Sequence, residues 1–257
     1  MQRRIFYVVI VFLILSDIGI VAAQDNTILI TVSSDMDKII FDGKWSHKTE
    51  WKQSSYNMLS YNDNVIIHLR TAHQGDFIYI FVDVVSDTNL DKEKDNTMIC
   101  FDSNNDKTLL PDSNDYCFMT TLAGKGSVIY QGNSSLTLDN FKKLTNYGNF
   151  IGMGAVSDQN DRYSNIPHTS YEFKIPTELV GRSDIYGFYL GVYDAYSNRI
   201  YSWPQDIISD LQLKVPTPSS WGTLVSPDKS LPEFQWPMLA VFSAFLFMIY
   251  LTKFRYR

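Results

Sequence analysis

Residues 76–85 read DFIYIFVDVV, and this stretch decides which kind of fold the chain forms. Every even-numbered position from 78 to 84 is isoleucine or valine, and the odd-numbered positions from 77 to 81 are phenylalanine or tyrosine. Successive side chains of a strand point to opposite faces, so both faces of this segment are apolar. The pattern predicts a central β-strand that is covered on both sides.

Segments of similar composition recur before and after residues 76–85. Turn residues separate these segments, and none of them has a sustained helical period. One helical turn is expected at Pro176–Val180, because proline suits the first position of a helix. Short strands with almost no helix between them predict antiparallel sheets packed as a β-sandwich, in one domain over residues 24–210. The predicted strands are Asn64–Thr71, Asp76–Val85, Thr97–Asp102, Asp115–Leu122, Ser127–Gln131, Phe150–Ala155, Thr169–Ile175, Ile185–Asp194 and Arg199–Trp203.

The two cysteines lie at the inner edges of apolar segments that flank a polar loop, Asp102–Asp115. A hairpin that pairs Phe101 with Tyr116 also places Cys100 opposite Cys117. In an oxidising location this arrangement predicts a cross-strand disulfide. The alternative is a pair of buried free thiols.

The N-terminal segment predicts export from the cell. Arg3 and Arg4 precede an apolar run, Ile5–Leu15, and small residues follow it. This order is typical of a secretory signal peptide, so residues 1–23 are expected to be removed. An uncleaved anchor is the lesser alternative, because about eleven residues are too few to span ~30 Å of hydrocarbon as a helix.

The C-terminal segment predicts a membrane anchor. Trp236–Leu251 is apolar apart from one serine, and three basic residues close the chain. Basic residues stay on the cytoplasmic side, which predicts a single-pass protein with its domain on the extracellular face of the cell membrane. A buried core helix is the alternative, but it would need a polar face that this segment lacks. The proline-containing stretch 211–231 is predicted to be a linker or stalk.

The predicted exported region is acidic. The chain has 22 basic and 28 acidic residues, and residues 24–231 retain 17 basic and 26 acidic ones, a net charge of −9. This charge disfavours nucleic acid and anionic lipid as partners. It fits cations and neutral ligands.

Several short motifs occur in the order found in one family of binding domains. They are 39–45 (IIFDGKW) with Glu50-Trp51, 77–82 (FIYIFV) leading to Asp87, 98–102 (MICFD) with its Asp/Asn loop, 171–176 (YEFKIP) and 202–204 (SWP). Over about Asp37–Asp206 the chain resembles family 9 carbohydrate-binding modules and the related DOMON-like domains. The resemblance implies a jelly-roll β-sandwich that binds rather than cleaves, with sugars or, in redox-linked relatives, haem as ligands.

The resemblance also implies which side chains meet the ligand. In sugar-binding members aromatic side chains clamp the sugar, and Trp203 is the position favoured here. A core or lid tryptophan is the alternative for Trp203. Trp51 matches a tryptophan that packs under the first strand, so we expect it to be structural.

The strand Ile185–Asp194 offers a second set of aromatic rings. Tyr189 and Tyr193 alternate with glycines on one face, which leaves open backbone beside the rings. We expect this face to form a ligand platform, with Tyr79 as a further ligand-binding residue. The alternative is simple aromatic packing.

The polar loop after Cys100 carries oxygen ligands. Asp102, Asn104 and Asp106 occupy alternate positions, as in calcium loops, and Asp112 lies close by across the hairpin. Calcium takes six to eight oxygen ligands, which such a loop and its carbonyls approach. These four residues are the predicted calcium site, and a plain solvated turn is the alternative.

Other cofactors are less well marked by the sequence. His68 and His73 are an odd number of residues apart, so on one strand they face opposite ways and do not predict a zinc site. The redox relatives hold haem through methionine, lysine or histidine. Met98 and Met119 lie on predicted strands, but the sequence defines no axial pair and has no Cys-x-x-Cys-His motif.

A second resemblance lies in the C-terminal tail. Pro232-Glu233-Phe234, the apolar span and the basic end are similar to the C-terminal sorting signals of archaeal surface proteins. In those proteins a membrane transpeptidase removes the span and joins the protein to a lipid. The resemblance implies that residues 232–257 are a sorting tag and that the mature protein is lipid-anchored.

The sequence predicts a protein that is not an enzyme, since it lacks a Gly-x-Ser-x-Gly elbow and a phosphate loop. Asn133-Ser134-Ser135 is its single glycosylation sequon, on a turn after a strand. The favoured hypothesis is a surface-anchored binding module for a glycan or another envelope component. A haem-binding redox subunit and a structural envelope protein without a small ligand are the alternatives.

Overall fold

The computed structural model describes residues 26–124, 126–134, 140–145, 148–207 and 212–227. These residues form one α-helix, α1 (Thr177–Val180), and short 3₁₀ helices at Met36–Lys38, Gln212–Lys214 and Pro218–Ser220. The strands are β1 (Thr27–Leu29), β2 (Thr31–Val32), β3 (Ser55–Ser60), β4 (Ile66–Gln74), β5 (Phe77–Val84), β6 (Asn96–Asp102), β7 (Asp115–Thr121), β8 (Ser127–Gly132), β9 (Phe141–Leu144), β10 (Ile151–Val156), β11 (Thr169–Pro176), β12 (Ile185–Asp194), β13 (Arg199–Trp203) and β14 (Gly222–Val225).

The strands form two sheets that enclose one apolar core. The large sheet has the order β1-β14-β12-β6-β7-β8-β9, with β13 also paired to β12. The small sheet has the order β10-β11-β5-β4-β2, with β3 also paired to β4. The core between them takes apolar side chains from both sheets. This architecture confirms the predicted all-β sandwich.

Strand β5 is covered on both faces, as its sequence predicts. Ile80 and Val82 on its inner face belong to the core between the sheets. Phe81 on its outer face lies beneath Trp45 and Trp51, with ring centroids 5.9 Å and 5.3 Å away. The chain before β3 therefore covers the outer face of the small sheet with tryptophan side chains.

The hairpin β6–β7 has the predicted register. Phe101 pairs with Tyr116, and Cys100 pairs with Cys117. The two cysteines form a disulfide that is buried on the outer side of the large sheet. The predicted cross-strand disulfide is confirmed.

Two strand pairs differ from the predicted antiparallel arrangement. β1 pairs in parallel with β14, and β2 pairs in parallel with β4. The buried residue between them, Ile30, donates its backbone N–H to the carbonyl of Val225 (2.9 Å). The N-terminal segment thus joins the large sheet and then the small one. Because its partners are distant in sequence, local patterns do not determine this orientation.

Strand β14 corrects the predicted end of the domain. It lies inside the predicted linker 211–231, where it pairs with β1 and β12. Leu224 belongs to the core between the sheets, and Trp221 is buried. The sandwich therefore extends beyond residue 210 to Val225. A strand of four residues carries too little alternation to be identified among prolines and serines.

The predictions for the two ends concern residues that the structure does not describe. The predicted signal peptide (1–23) and the predicted sorting motif and span (232–257) lie outside the described residues. No helix within the described ranges has the length and hydropathy that crossing a membrane requires.

We expect the double variant Cys100→Ser/Cys117→Ser to be less stable than the wild-type chain by about 3 kcal/mol. The disulfide joins residues 17 apart and restricts the unfolded chain. Urea denaturation followed by tryptophan fluorescence measures the difference. In reducing buffer the two proteins should unfold alike, and equal midpoints in non-reducing buffer would contradict the prediction.

Candidate functional site

Strand β12 presents tyrosines to the outer face of the large sheet. Its residues Leu190 and Val192 belong to the core, whereas Tyr189, Gly191 and Tyr193 face the other way and line a cavity of about 340 Å³. The other lining residues are Asn96, Met98, Met119, Ile200, Leu213, Lys214 and Val215.

The two tyrosines have different positions in this cavity. Tyr189 is buried, and its ring stacks on Trp221 with ring centroids 6.4 Å apart. Tyr193 is half-buried, and its hydroxyl donates to Oδ1 of Asn198 (3.0 Å). Nζ of Lys214 lies 5.2 Å from the centroid of the Tyr193 ring. Tyr193 is therefore the more accessible ring, and it has a cation beside it.

Trp203 does not reach the cavity. Its side chain is 7% exposed and belongs to the core between the sheets, where its ring lies 5.8 Å from that of Phe188. A side chain on Gly222 would overlap the ring, so β14 packs directly against it. The structure contradicts the prediction that Trp203 clamps a ligand and agrees with the alternative of a core tryptophan.

Tyr79 is also distant from the tyrosines of β12, because it lies on the outer face of the small sheet. It is buried, and its ring contacts Phe41 and Phe77, with centroids 6.1 Å and 6.3 Å away. Of the four predicted ligand-binding residues, the structure thus brings together Tyr189 and Tyr193. The segment that completes their cavity, with Leu213 and Lys214, falls in the predicted linker and had no signal in the sequence.

The predicted calcium loop uses its oxygens to shape its own backbone. Asp102 accepts the backbone N–H of Asp106 (3.2 Å) and that of the next residue (2.9 Å). Asp112 accepts the backbone N–H of Asn114 (2.9 Å), whose side-chain amide donates to Asp106 (3.3 Å). The contact between Asp112 and Asn114, two residues apart, is that of an Asx turn. Calcium binding by Asp102, Asn104, Asp106 and Asp112 stays a prediction.

Three carboxylates converge at one end of the core. Asp95 and Asp194 continue the register in which Asn96 pairs with Tyr193, and Asp87 follows β5. The three residues bring ligand oxygens within 4.8 Å of one another. Burial, together with the charges of Asp95 and Asp194, raises the pKa of Asp87 to about 7. Like charges opposite one another are unfavourable, so a cation bound here would lower the electrostatic energy.

The hydroxyl of Tyr171 lies beside these carboxylates. It is buried beside Thr169, whose own hydroxyl donates to Oδ2 of Asp87 (3.1 Å). Burial, and next the charge of Asp95, hold the pKa of Tyr171 well above its usual value. Within the described ranges no basic side chain forms an ion pair with Asp87, Asp95 or Asp194. The cluster therefore concentrates negative charge that no basic side chain of the described residues balances, and its carboxylate oxygens accept hydrogen bonds from backbone and hydroxyl groups.

Asn133, the predicted glycosylation site, follows β8 and is exposed. Exposure is what an N-linked glycan requires. Its modification stays a prediction.

Comparisons with known proteins bear on the fold. A scan against protein-family profiles and a search of curated proteins gave no match. A family 9 carbohydrate-binding module from Caldicellulosiruptor kristjanssonii in complex with glucose is 14% identical, with a TM-score of 0.50 over 78% of this chain and 95% of that one. One from the same organism in complex with cellotriose is 16% identical, with a TM-score of 0.48 over 78% and 93%. The chain has the fold of a family 9 module, as the sequence motifs predict.

We expect Gly191→Ala to destabilise the protein by about 1–3 kcal/mol, because a Cβ at this position would lie 2.7 Å from the hydroxyl oxygen of Tyr189. Urea denaturation measures the effect. Gly148→Ala is the matched control, since a Cβ there meets nothing within 4 Å. Equal stability of the two variants would contradict the prediction, because the ring of Tyr189 would then move aside at no cost in folding free energy.

Proposed function

We propose that this chain is a non-catalytic carbohydrate-binding module displayed on the outer face of a membrane. The observation that carries the proposal is the tyrosine-lined cavity on the outer face of the large sheet, in a sandwich with the fold of family 9 modules. The solved module with a TM-score of 0.50 holds glucose. The ligand class that we propose is therefore a neutral hexose or a short glycan built from hexoses.

The cavity has the chemistry that sugar binding uses. A sugar ring has apolar C–H faces that pack on aromatic rings and hydroxyls that need hydrogen-bond partners. Tyr193 offers a ring, and Asn96 and Lys214 offer polar groups at its side. A volume of about 340 Å³ is at the lower end of the range for ligand pockets, which favours one or two sugar units.

The lining of the cavity favours binding over cleavage. Glycoside hydrolysis uses a pair of carboxyl groups on either side of the scissile bond. The described residues that line this cavity include no aspartate or glutamate. We therefore assign no catalytic role to this site.

The proposed location rests on the sequence alone. The signal-peptide pattern in residues 1–23 and the apolar span with basic end in residues 232–257 support export and anchoring. Processing at Pro232-Glu233-Phe234 by a sorting transpeptidase is part of the same proposal. Mass spectrometry of the mature protein reads both ends directly.

A haem-binding module is the second candidate function. Met98 and Met119, which occupy paired positions on β6 and β7, both line the cavity beside Lys214. Methionine and lysine are side chains that the redox relatives use as axial ligands. A Soret band in the purified chain would favour haem over sugar.

We also propose that calcium binds as a structural ion to the carboxylates of Asp87, Asp95 and Asp194. Calcium prefers oxygen ligands and balances concentrated negative charge. The hydroxyl of Tyr171 lies next to this position, and the three carboxylates come from the ends of both sheets. An ion here would hold the two sheets together at one end of the core.

Tyr193→Ala should weaken sugar binding by about ten-fold, because an aromatic contact contributes about 1–1.5 kcal/mol. Isothermal titration calorimetry of the full chain with glucose and cello-oligosaccharides measures it, after a glycan array has identified the best ligand. Tyr193→Phe keeps the ring and should bind like the wild-type chain.

Tyr196→Ala is the matched control for this experiment, because Tyr196 is 72% exposed and lies outside the cavity. It should leave affinity unchanged. No binding to any glycan on the array, or equal affinities of Tyr193→Ala and Tyr196→Ala, would overturn the proposed site.

Calcium at saturating concentration should raise the melting temperature of the chelator-treated chain by several degrees, at about 2–4 °C per kcal/mol of binding energy. Asp194→Asn should abolish the shift, since it removes one of the converging carboxylates. Asp106→Asn, in the predicted calcium loop, should retain it. The opposite result for the two variants would place calcium in the loop.

A further inference from the structure

A second group of convergent side chains lies on the outer face of the small sheet. Asp83 is on β5, His168 directly precedes β11, and Asp161 lies in the loop between β10 and β11. All three side chains are inaccessible to solvent. Nε2 of His168 is 2.6 Å from Oδ1 of Asp83 and 4.0 Å from Oδ1 of Asp161. One ligand atom from each residue lies within 4.8 Å of the other two.

The ring of His168 is oriented by its other nitrogen. Nδ1 lies 2.7 Å from the carbonyl oxygen of Ile166, which can only accept, so Nδ1 carries a proton. Oγ of Ser157 lies 2.9 Å from Nδ1, and it accepts the backbone N–H of His168. Nε2 is thereby directed at the two aspartates. A ring N–H donated to a backbone carbonyl is the usual arrangement of a histidine that binds metal through its other nitrogen.

Each aspartate has one oxygen that the protein does not use. Oδ2 of Asp83 and Oδ2 of Asp161 are buried and have no hydrogen-bond partner among the described residues. The other oxygen of Asp161 accepts the backbone N–H groups of Tyr163 and Ser164. A buried carboxylate oxygen without a donor or a cation is strongly unfavourable. The two oxygens indicate a ligand with positive charge.

Neighbouring basic side chains do not supply this charge. Arg70 donates to the hydroxyl of Tyr163 and to the carbonyls of Trp51 and Ser54. The ring of His68 stacks on Tyr163, its Nδ1 lies 2.9 Å from the hydroxyl of Tyr56, and among the described residues it forms no ion pair with either aspartate. Protonated His168 balances one of the two carboxylates. A divalent ion bound to neutral His168 balances both.

We propose that Asp83, Asp161 and His168 bind a divalent transition-metal ion of the Zn²⁺ class. The ligand set of one imidazole nitrogen and two carboxylates suits such ions, whereas calcium takes oxygen ligands alone. This inference is independent of the proposed carbohydrate binding and of the calcium cluster, which uses other residues.

The ion has a structural role in this position. The loop that carries Asp161 also carries Tyr163, whose ring stacks on His68 with centroids 3.8 Å apart. A metal shared by Asp161 and Asp83 joins this loop to the centre of the small sheet. The loop then holds Tyr163 against Arg70, beside the buried Trp45.

The test is a calorimetric titration of the untagged full chain with ZnCl₂, after treatment with a chelator and in excess calcium. The wild-type chain should bind one Zn²⁺ tightly, and Asp161→Asn and His168→Gln should each lose this site. Both cysteines are in the disulfide, so thiolates do not contribute. Titration with Co²⁺ gives a second readout, because its visible absorption bands should appear in the wild-type chain and not in Asp161→Asn.

Two variants serve as controls. Asp194→Asn removes a calcium ligand and should still bind Zn²⁺, and so should His47→Gln, which replaces a histidine whose side chain is 40% exposed. No Zn²⁺ binding by the wild-type chain, or unchanged binding by Asp161→Asn, would overturn the proposal and leave a buried ion pair only. If His168→Gln does not fold, Asp161→Asn still decides the outcome, because this nearly isosteric substitution lies in a loop.

Discussion

The buried carboxylate of Glu172 holds the first part of the chain against the small sheet. Oε2 accepts the backbone N–H groups of Asp42 (3.0 Å) and Gly43 (2.8 Å), and Oε1 accepts the indole N–H of Trp51 (3.0 Å). Burial raises the pKa of Glu172, and the hydrogen bonds from Gly43 and Trp51 oppose this effect. Three donors on one carboxylate form a strong, directional attachment, since charge-assisted bonds are about twice as strong as neutral ones.

The cover over the outer face of β5 depends on this attachment. Gly43 has a φ of +89°, and a Cβ there would lie 2.7 Å from the backbone nitrogen of Ala155. A side chain would push the turn away from Glu172 and take Trp51 with it. Without Trp51 the ring of Phe81 would lose one of the two tryptophan rings that cover it. The Asp-Gly motif and the YEFKIP motif, which carry the resemblance to family 9 modules, are therefore two halves of one structural contact.

Three candidate sites with different chemistry lie in separate parts of the sandwich. The outer face of the small sheet is sealed by aromatic rings and encloses the nitrogen and oxygen ligands around His168. One end of the core carries the oxygen cluster of Asp87, Asp95 and Asp194. The outer face of the large sheet keeps the cavity beside Tyr193. The neutral ligand, the hard cation and the softer cation that we propose thus have separate places in the sandwich.

The sequence by itself determined nine of the fourteen strands of the described residues, the two-sided burial of β5 and the register that pairs Cys100 with Cys117. These features follow from side-chain alternation within a strand and from the spacing across one hairpin, both of which are local. Only the tertiary structure decided that β14 joins the large sheet, that Trp203 faces the core and that Asp161 meets His168. Side-chain alternation defines the two faces of a strand but not which face is the inner one. It also does not determine which distant segments meet. Packing between sheets and loops decides both of these features.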